Sequence, residues 1–194
     1  MKETIKNLAA AYVGESQARN RYTYYAKVAR LEGYRKISEI FIATAEQERT
    51  HAKRLFEHLN NLTKKEGLEE DLLLDKALVP HIYDNTKANL QAAIEGEKYE
   101  NSEMYPEFAQ KADAEGYPEI ANRMRAIAKA EKHHQERFQK LLDLVGHGNY
   151  FERSEEKTWA CLECGYIQIG KNAPSKCPSC DHSQAHYEVQ CEEF

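Results

Sequence analysis

The chain has 194 residues, enough for one sizeable core and a small second module. Its net charge of −5 comes from 32 acidic and 27 basic residues spread along the sequence, which leaves no basic block to track a phosphate backbone. No apolar run approaches the roughly 20 residues of a membrane span, and Met1-Lys2-Glu3-Thr4 runs straight into an amphipathic pattern instead of a signal peptide, so neither nucleic acid nor membrane is expected as a partner and a cytoplasmic protein is predicted.

Up to about residue 146 the sequence is poor in Gly and Pro and rich in good helix formers, and it predicts four long helices over 3–31, 36–62, 82–114 and 118–145. Glu32-Gly33-Tyr34-Arg35 and Glu115-Gly116-Tyr117-Pro118 read as tight breaks, with Gly suited to a helix C-terminus and Pro118 to a first turn. Each pair of helices is then an antiparallel hairpin. Thr63 to Pro80, carrying Leu68, Leu72, Leu73, Leu74 and Leu78, is too long for such a turn and reads as a crossover packed along the bundle. One long crossover suggests a ferritin-like four-helix bundle over 1–145, followed by a charged linker over 146–157 and a cysteine module over 158–194.

The two hairpins repeat. A shift of 83 carries Glu32-Gly33-Tyr34 onto Glu115-Gly116-Tyr117, Glu48 onto Glu131, His51 onto His134 and Tyr22 onto Tyr105, whereas Gly14-Glu15 meets Gly96-Glu97 at 82. The third helix has therefore gained one residue between Glu97 and Tyr105, and an insertion absorbed without breaking a helix predicts a π-bulge. Drift in the alignment is the alternative.

The apolar stripes of these helices carry acids. The second helix reads Ile37, Phe41, Thr44, Glu48, His51 or Ala52, Leu55 and Leu59; the fourth reads Ile120, Met124, Ile127, Glu131, His134, Phe138 and Leu141. Glu15 and Glu97 occupy the same register on the first and third. Chance alone supplies about one Glu-x-x-His in a chain so rich in Glu, so placement is the stronger argument. Several carboxylates taken into one core cost several kcal/mol each unless compensated, and two multivalent cations would compensate them. A Glu from each of two helices plus Glu-x-x-His from each of the others is a known recipe for such sites. The bland reading is that Arg19, Arg21, Lys53 or Arg54 pairs with the acids, or that they face solvent. Cys161-x-x-Cys164 and Cys177-x-x-Cys180 predict a tetrahedral thiolate site, fitting metal ligation in a reducing compartment, although the spacing does not separate zinc from iron.

Together Gly14-Glu15-Ser16-Gln17-Ala18-Arg19-Asn20-Arg21-Tyr22, Glu48-x-x-His51, Gly96-Glu97-x-x-Glu100, Met104-Tyr105-Pro106-Glu107-Phe108, Glu131-x-x-His134 and the cysteine module resemble rubrerythrin over essentially the whole chain. Trp159, Gly165-Tyr166 and Pro178 around the cysteines resemble rubredoxin. The resemblance implies that Glu48 and Glu131 bridge two irons, that Glu15 holds the first with Glu100 and His51 as alternatives as its oxidation state changes, and that Glu97 and His134 hold the second. Tyr22 and Tyr105 would hydrogen-bond the ligating carboxylates, and a third iron would occupy the cysteines. The implied activity is a non-haem di-iron peroxidase reducing hydrogen peroxide to water, recharged by an NAD(P)H-dependent reductase or rubredoxin, in a homodimer or larger homo-oligomer. His133 and Cys191 receive no role. A ferroxidase or iron-handling protein of ferritin type is the nearest rival, and a helical scaffold with a structural zinc ribbon is the non-enzymatic one.

Overall fold

The computed structural model describes residues 1–75 and 77–191, so Lys76 of the expected crossover and residues 192–194 of the expected module lie outside the described residues. α1 (Glu3–Leu31) and α2 (Arg35–Lys65) form one hairpin. The other consists of α3 (Thr86–Tyr99), a π-helical segment (Glu100–Met104) and α4 (Tyr105–Ala114), running as one long helix, and then α5 (Pro118–Gly146). The fold is the expected mainly helical, ferritin-like bundle with a small C-terminal module.

The two turns are built alike. Gly33 (φ +86) and Gly116 (φ +84) take the left-handed conformation that side chains resist. The Tyr34 amide then reaches Ala29 O, and the Tyr117 amide reaches Ala112 O, each at 2.8 Å, closing the same C-terminal motif. The glutamate of each turn also finishes the other hairpin. Glu32 Oε2 accepts from the Thr86 amide at 2.9 Å, and Glu115 accepts from the Glu3 and Thr4 amides at 2.9 and 3.0 Å. Both acids thus satisfy amide donors at a helix start. α3 begins at Thr86 and not at 82, because Asn85 accepts from the Ala88 amide at 2.9 Å and so caps the helix there.

The bundle core has two apolar layers with the acids between them. Ile5, Leu8, Leu55, Leu59, Met124 and Ile127 pack in one; Tyr22, Tyr25, Phe41, Leu90 and Phe138 pack in the other. Replacing Phe41 or Phe138 by Ala would cost about 3–5 kcal/mol. The crossover is only half packed. Leu68, Leu72 and Leu74 lie on the first layer, whereas Leu73 and Leu78 are 87% and 73% exposed.

In the module, β1 (Glu152–Cys161) is the centre of an antiparallel sheet, flanked by β2 (Ile167–Asn172) and β3 (Tyr187–Val189). β1 starts inside the stretch expected as linker, and its register with β2 shifts between Glu152 and Lys157. A mostly exposed strand shows no inside–outside alternation to read. The module rests on the α1–α2 turn. Arg35 pairs with Glu163, Lys36 Nζ lies 2.7 Å from Glu188, and the Tyr34 ring meets Tyr150 edge-on at 5.1 Å.

Candidate metal centres

Four helices deliver their acids to one level of the bundle. Glu15, Glu48, Glu97, Glu131 and His134 are all at most 2% exposed, and His51 is partly buried. Glu48 and Glu131 face both histidines. One oxygen of each lies 3.0 and 2.9 Å from His51 Nδ1, and the other lies 3.1 and 2.8 Å from His134 Nδ1. Glu15 approaches His51 at 3.7 Å and Glu97 approaches His134 at 3.6 Å. The result is two four-donor sets, Glu15–Glu48–His51–Glu131 and Glu48–Glu97–Glu131–His134, sharing Glu48 and Glu131, with the donor atoms of each within 4.8 Å of one another.

Burial this deep pushes the Glu15 carboxyl well up, and it pushes Glu97, beside the Glu48 charge, up to about 8. Burial would raise Glu48 too, but the two histidines hold it down to about 2. Burial lowers His134, yet Glu131, Glu48 and Glu97 outweigh it and push the imidazole up to about 12. Without metal, protons hold the layer together. No lysine or arginine does so among the described residues; Arg54 and Lys53 turn to Glu57 instead, at 2.8 and 3.9 Å. Glu15 Oε2, Glu48 Oε1, Glu97 Oε2, both Glu131 oxygens and His134 Nδ1 are buried without a well-aligned hydrogen bond. Carboxylates and imidazoles brought this close, with only protons to balance the charge and few aligned hydrogen bonds, fit a pair of divalent irons.

The tyrosines reach across the hairpins. Tyr22 donates to Glu97 Oε1 at 2.5 Å, and Tyr105 donates to Glu15 Oε1. Glu100 stands outside both donor sets. It opens the π-helical segment, which matches the bulge expected from the repeat, and a Cβ at Gly14 would sit 3.9 Å from Glu100 Oε1. Asn101 escaped the sequence reading of the site. Its amide donates to the Glu97 carbonyl at 2.6 Å and to Gln135 at 2.9 Å, tying the π-helical segment to α5. Arg137, half-buried and donating to Thr44 Oγ1 at 2.5 Å, escaped it too. Thr44 in core register was the only signal for that contact.

The cysteines form a closed cage. Cys161 and Cys180 sulfurs are 3.7 Å apart, and Cys164 and Cys177 sulfurs are 3.6 Å apart. Metal–sulfur bonds of about 2.3 Å in a tetrahedron require about 3.8 Å. Gly165 (φ +72) and Asp181 (φ +62) follow the second cysteine of each pair in the left-handed region, and their amides return to Cys161 O and Cys177 O at 2.9 and 3.0 Å. Burial raises the Cys177 thiol, but the Tyr187 phenol and the Ser179 and Cys180 amides outweigh it and bring it down to about 6, favouring thiolate.

Known proteins carry the same layout. Residues 6–142 match the family model described as Rubrerythrin, and residues 159–188 match that of the rubrerythrin rubredoxin-like domain. A putative rubrerythrin of Methanocaldococcus jannaschii is 52% identical over 100% of this chain and 96% of its own length. A rubrerythrin of Nitratidesulfovibrio vulgaris is 45% identical over 96% of this chain and 93% of its own. The structure of fully reduced, all-ferrous nigerythrin superposes with a TM-score of 0.64 at 29% identity, covering 98% of this chain and 88% of that one. The chain belongs to the rubrerythrin family, whose members hold two irons in the bundle and one in the rubredoxin-like cysteine site.

Proposed function

We propose that this chain is a non-haem di-iron peroxidase that reduces hydrogen peroxide to water in oxidative-stress defence, with electrons entering through the four-cysteine iron. The carrying observation is that Glu48 and Glu131 each split their two oxygens between the His51 and His134 sides. That supports Glu48 and Glu131 as bridging ligands, Glu15 and His51 as ligands of one iron, and Glu97 and His134 as ligands of the other. Held by these residues, two ferrous ions would supply the two electrons that, with two protons from solvent, convert one peroxide to two waters.

The chain's own contribution is placement. Tyr22 and Tyr105 hold Glu97 and Glu15 in one orientation, and the apolar layers on either side exclude bulk water. A cavity of about 240 Å³ between α1, the crossover and the third helix is bordered by Gly14, Arg21, Leu74, Leu78, Met104 and Glu100. We assign it as the peroxide entry, and Glu100 as the alternative to His51 on the first iron. The cage, closed by four sulfurs, suits electron relay better than substrate binding. It sits at the α1–α2 turn, and the end of α1 at Leu31 lies sixteen positions beyond Glu15, about 24 Å of helix. A second copy in a homodimer or larger homo-oligomer, bringing its cage to this site, would shorten the transfer. An NAD(P)H-dependent reductase or rubredoxin recharges the cage.

The test is to reduce the iron-loaded protein without oxygen, add hydrogen peroxide and time the reoxidation of both centres. Reoxidation by peroxide faster than by dioxygen is expected. Preference for dioxygen, with iron released and stored, would replace this reading with a ferroxidase.

A further inference from the structure

A third cluster of side chains able to hold a metal lies outside both iron sites, where the module meets the bundle. Glu163, between the first two cysteines, and His182 and His186, beyond the last, each bring one donor atom within 4.8 Å of the others. The two imidazole centroids are 4.7 Å apart at an interplanar angle of 64°. His186 Nε2 stands 3.7 Å from Glu163 Oε1. That gap is too long for a hydrogen bond. It is within the roughly 4 Å that two bonds of about 2.0–2.1 Å to a shared cation can span. His182 Nδ1 lies 3.3 Å from Cys180 Sγ.

Glu163 is not idle, since Arg35 pairs with it. The guanidinium has a second acid at hand, Glu39 at 3.4 Å from Nε, so a cation that takes Glu163 does not strand the arginine. The nearby positive charge disfavours a purely electrostatic ligand such as magnesium or calcium. It is better tolerated by ions that bind imidazole strongly.

We propose that Glu163, His182 and His186 form a binding site for a borderline divalent cation of the zinc type, separate from the irons, at the seam between module and bundle. Three protein donors and a water would complete a tetrahedral shell.

The experiment adds zinc to iron-loaded, full-length protein and to the His182→Ala/His186→Ala variant, counting bound metal after gel filtration while following the ferric-thiolate absorption. One more zinc per chain in the wild type than in the variant, with that absorption unchanged in both, is expected. Cobalt in place of zinc should show bands of nitrogen and oxygen ligation. Equal uptake by the two proteins, or sulfur-to-cobalt charge transfer with loss of the iron signal, would overturn the proposal. Should the double variant fail to hold iron, Glu163→Gln serves instead. It should weaken zinc binding about tenfold or more, and unchanged affinity would overturn the proposal equally.

Discussion

Tyr22 and Glu97 join the two hairpins through a 2.5 Å hydrogen bond, with the phenol of α1 donating to a carboxylate of α3. Tyr105 and Glu15 make the reverse connection. Phe at either position keeps the packing and removes the donor. Tyr22→Phe and Tyr105→Phe are each expected to weaken iron retention in the bundle about 10–100-fold, measured by competition with a chelator, and to slow peroxide turnover. The cysteine-site spectrum should be unchanged.

Stripping the metal should reverse the pH response of stability. Glu97 in the folded apo protein titrates near 8, above its unfolded value of 4.5, and His134 titrates near 12, above 6.5. Both pKa values are raised, so their contributions are complete at low pH and are lost as pH rises, for Glu97 between about 4.5 and 8. Glu48, held down to about 2, contributes above 4.5 and loses that contribution only in acid. The melting temperature of apo protein is therefore expected to fall from pH 6 to pH 9. The iron-loaded form should hold or gain over the same range, because ligands bind metal deprotonated. Parallel curves for the two forms would contradict the assignment.

Glu100 and the cavity it borders can be separated by two substitutions. Glu100→Ala removes a half-buried carboxyl that desolvation and Glu15 already push well up, so the protein should fold at least as well while peroxide turnover drops tenfold or more, about 1.4 kcal/mol in the barrier. Gly14→Leu fills the cavity instead. It should raise KM for peroxide and leave the iron content intact, as read by steady-state kinetics beside metal analysis.

Cys177→Ser should abolish the ferric-thiolate spectrum and reductase-driven turnover. Chemically reduced bundle iron should still be oxidised by one addition of peroxide, because the two centres lie on separate elements. Single-turnover and steady-state assays distinguish the two effects.

The bundle and the acids at its level are written in local patterns: period-3.6 stripes, two Glu-Gly-Tyr turns, two Glu-x-x-His pairs. Glu48 and His51 could be placed inward because Phe41, Thr44 and Leu55 continue on either side of them. The split of Glu48 and Glu131 between two histidines could not be read, since it depends on side-chain angles across three helices. The start of α3 leaves no periodic mark, because the capping oxygen of Asn85 decides it while apolar Ile82 and Tyr83 prolong the pattern upstream. The seating of the module rests on Arg35–Glu163 and Lys36–Glu188, long-range charge pairs that leave no periodic trace.

The exchange of caps between Glu32 and Glu115 makes the two halves mutually dependent. Each turn completes a helix that belongs to the other half, and the tyrosines serve the other half's carboxylates in the same way. A half-length chain of one hairpin would lack all of these partners alone, yet would find every one of them in a second copy of itself, across a two-fold axis. The single chain thus has the bonding pattern of a self-complementary pair. Its crossover, with Leu73 and Leu78 exposed, is the one covalent connection between the two halves.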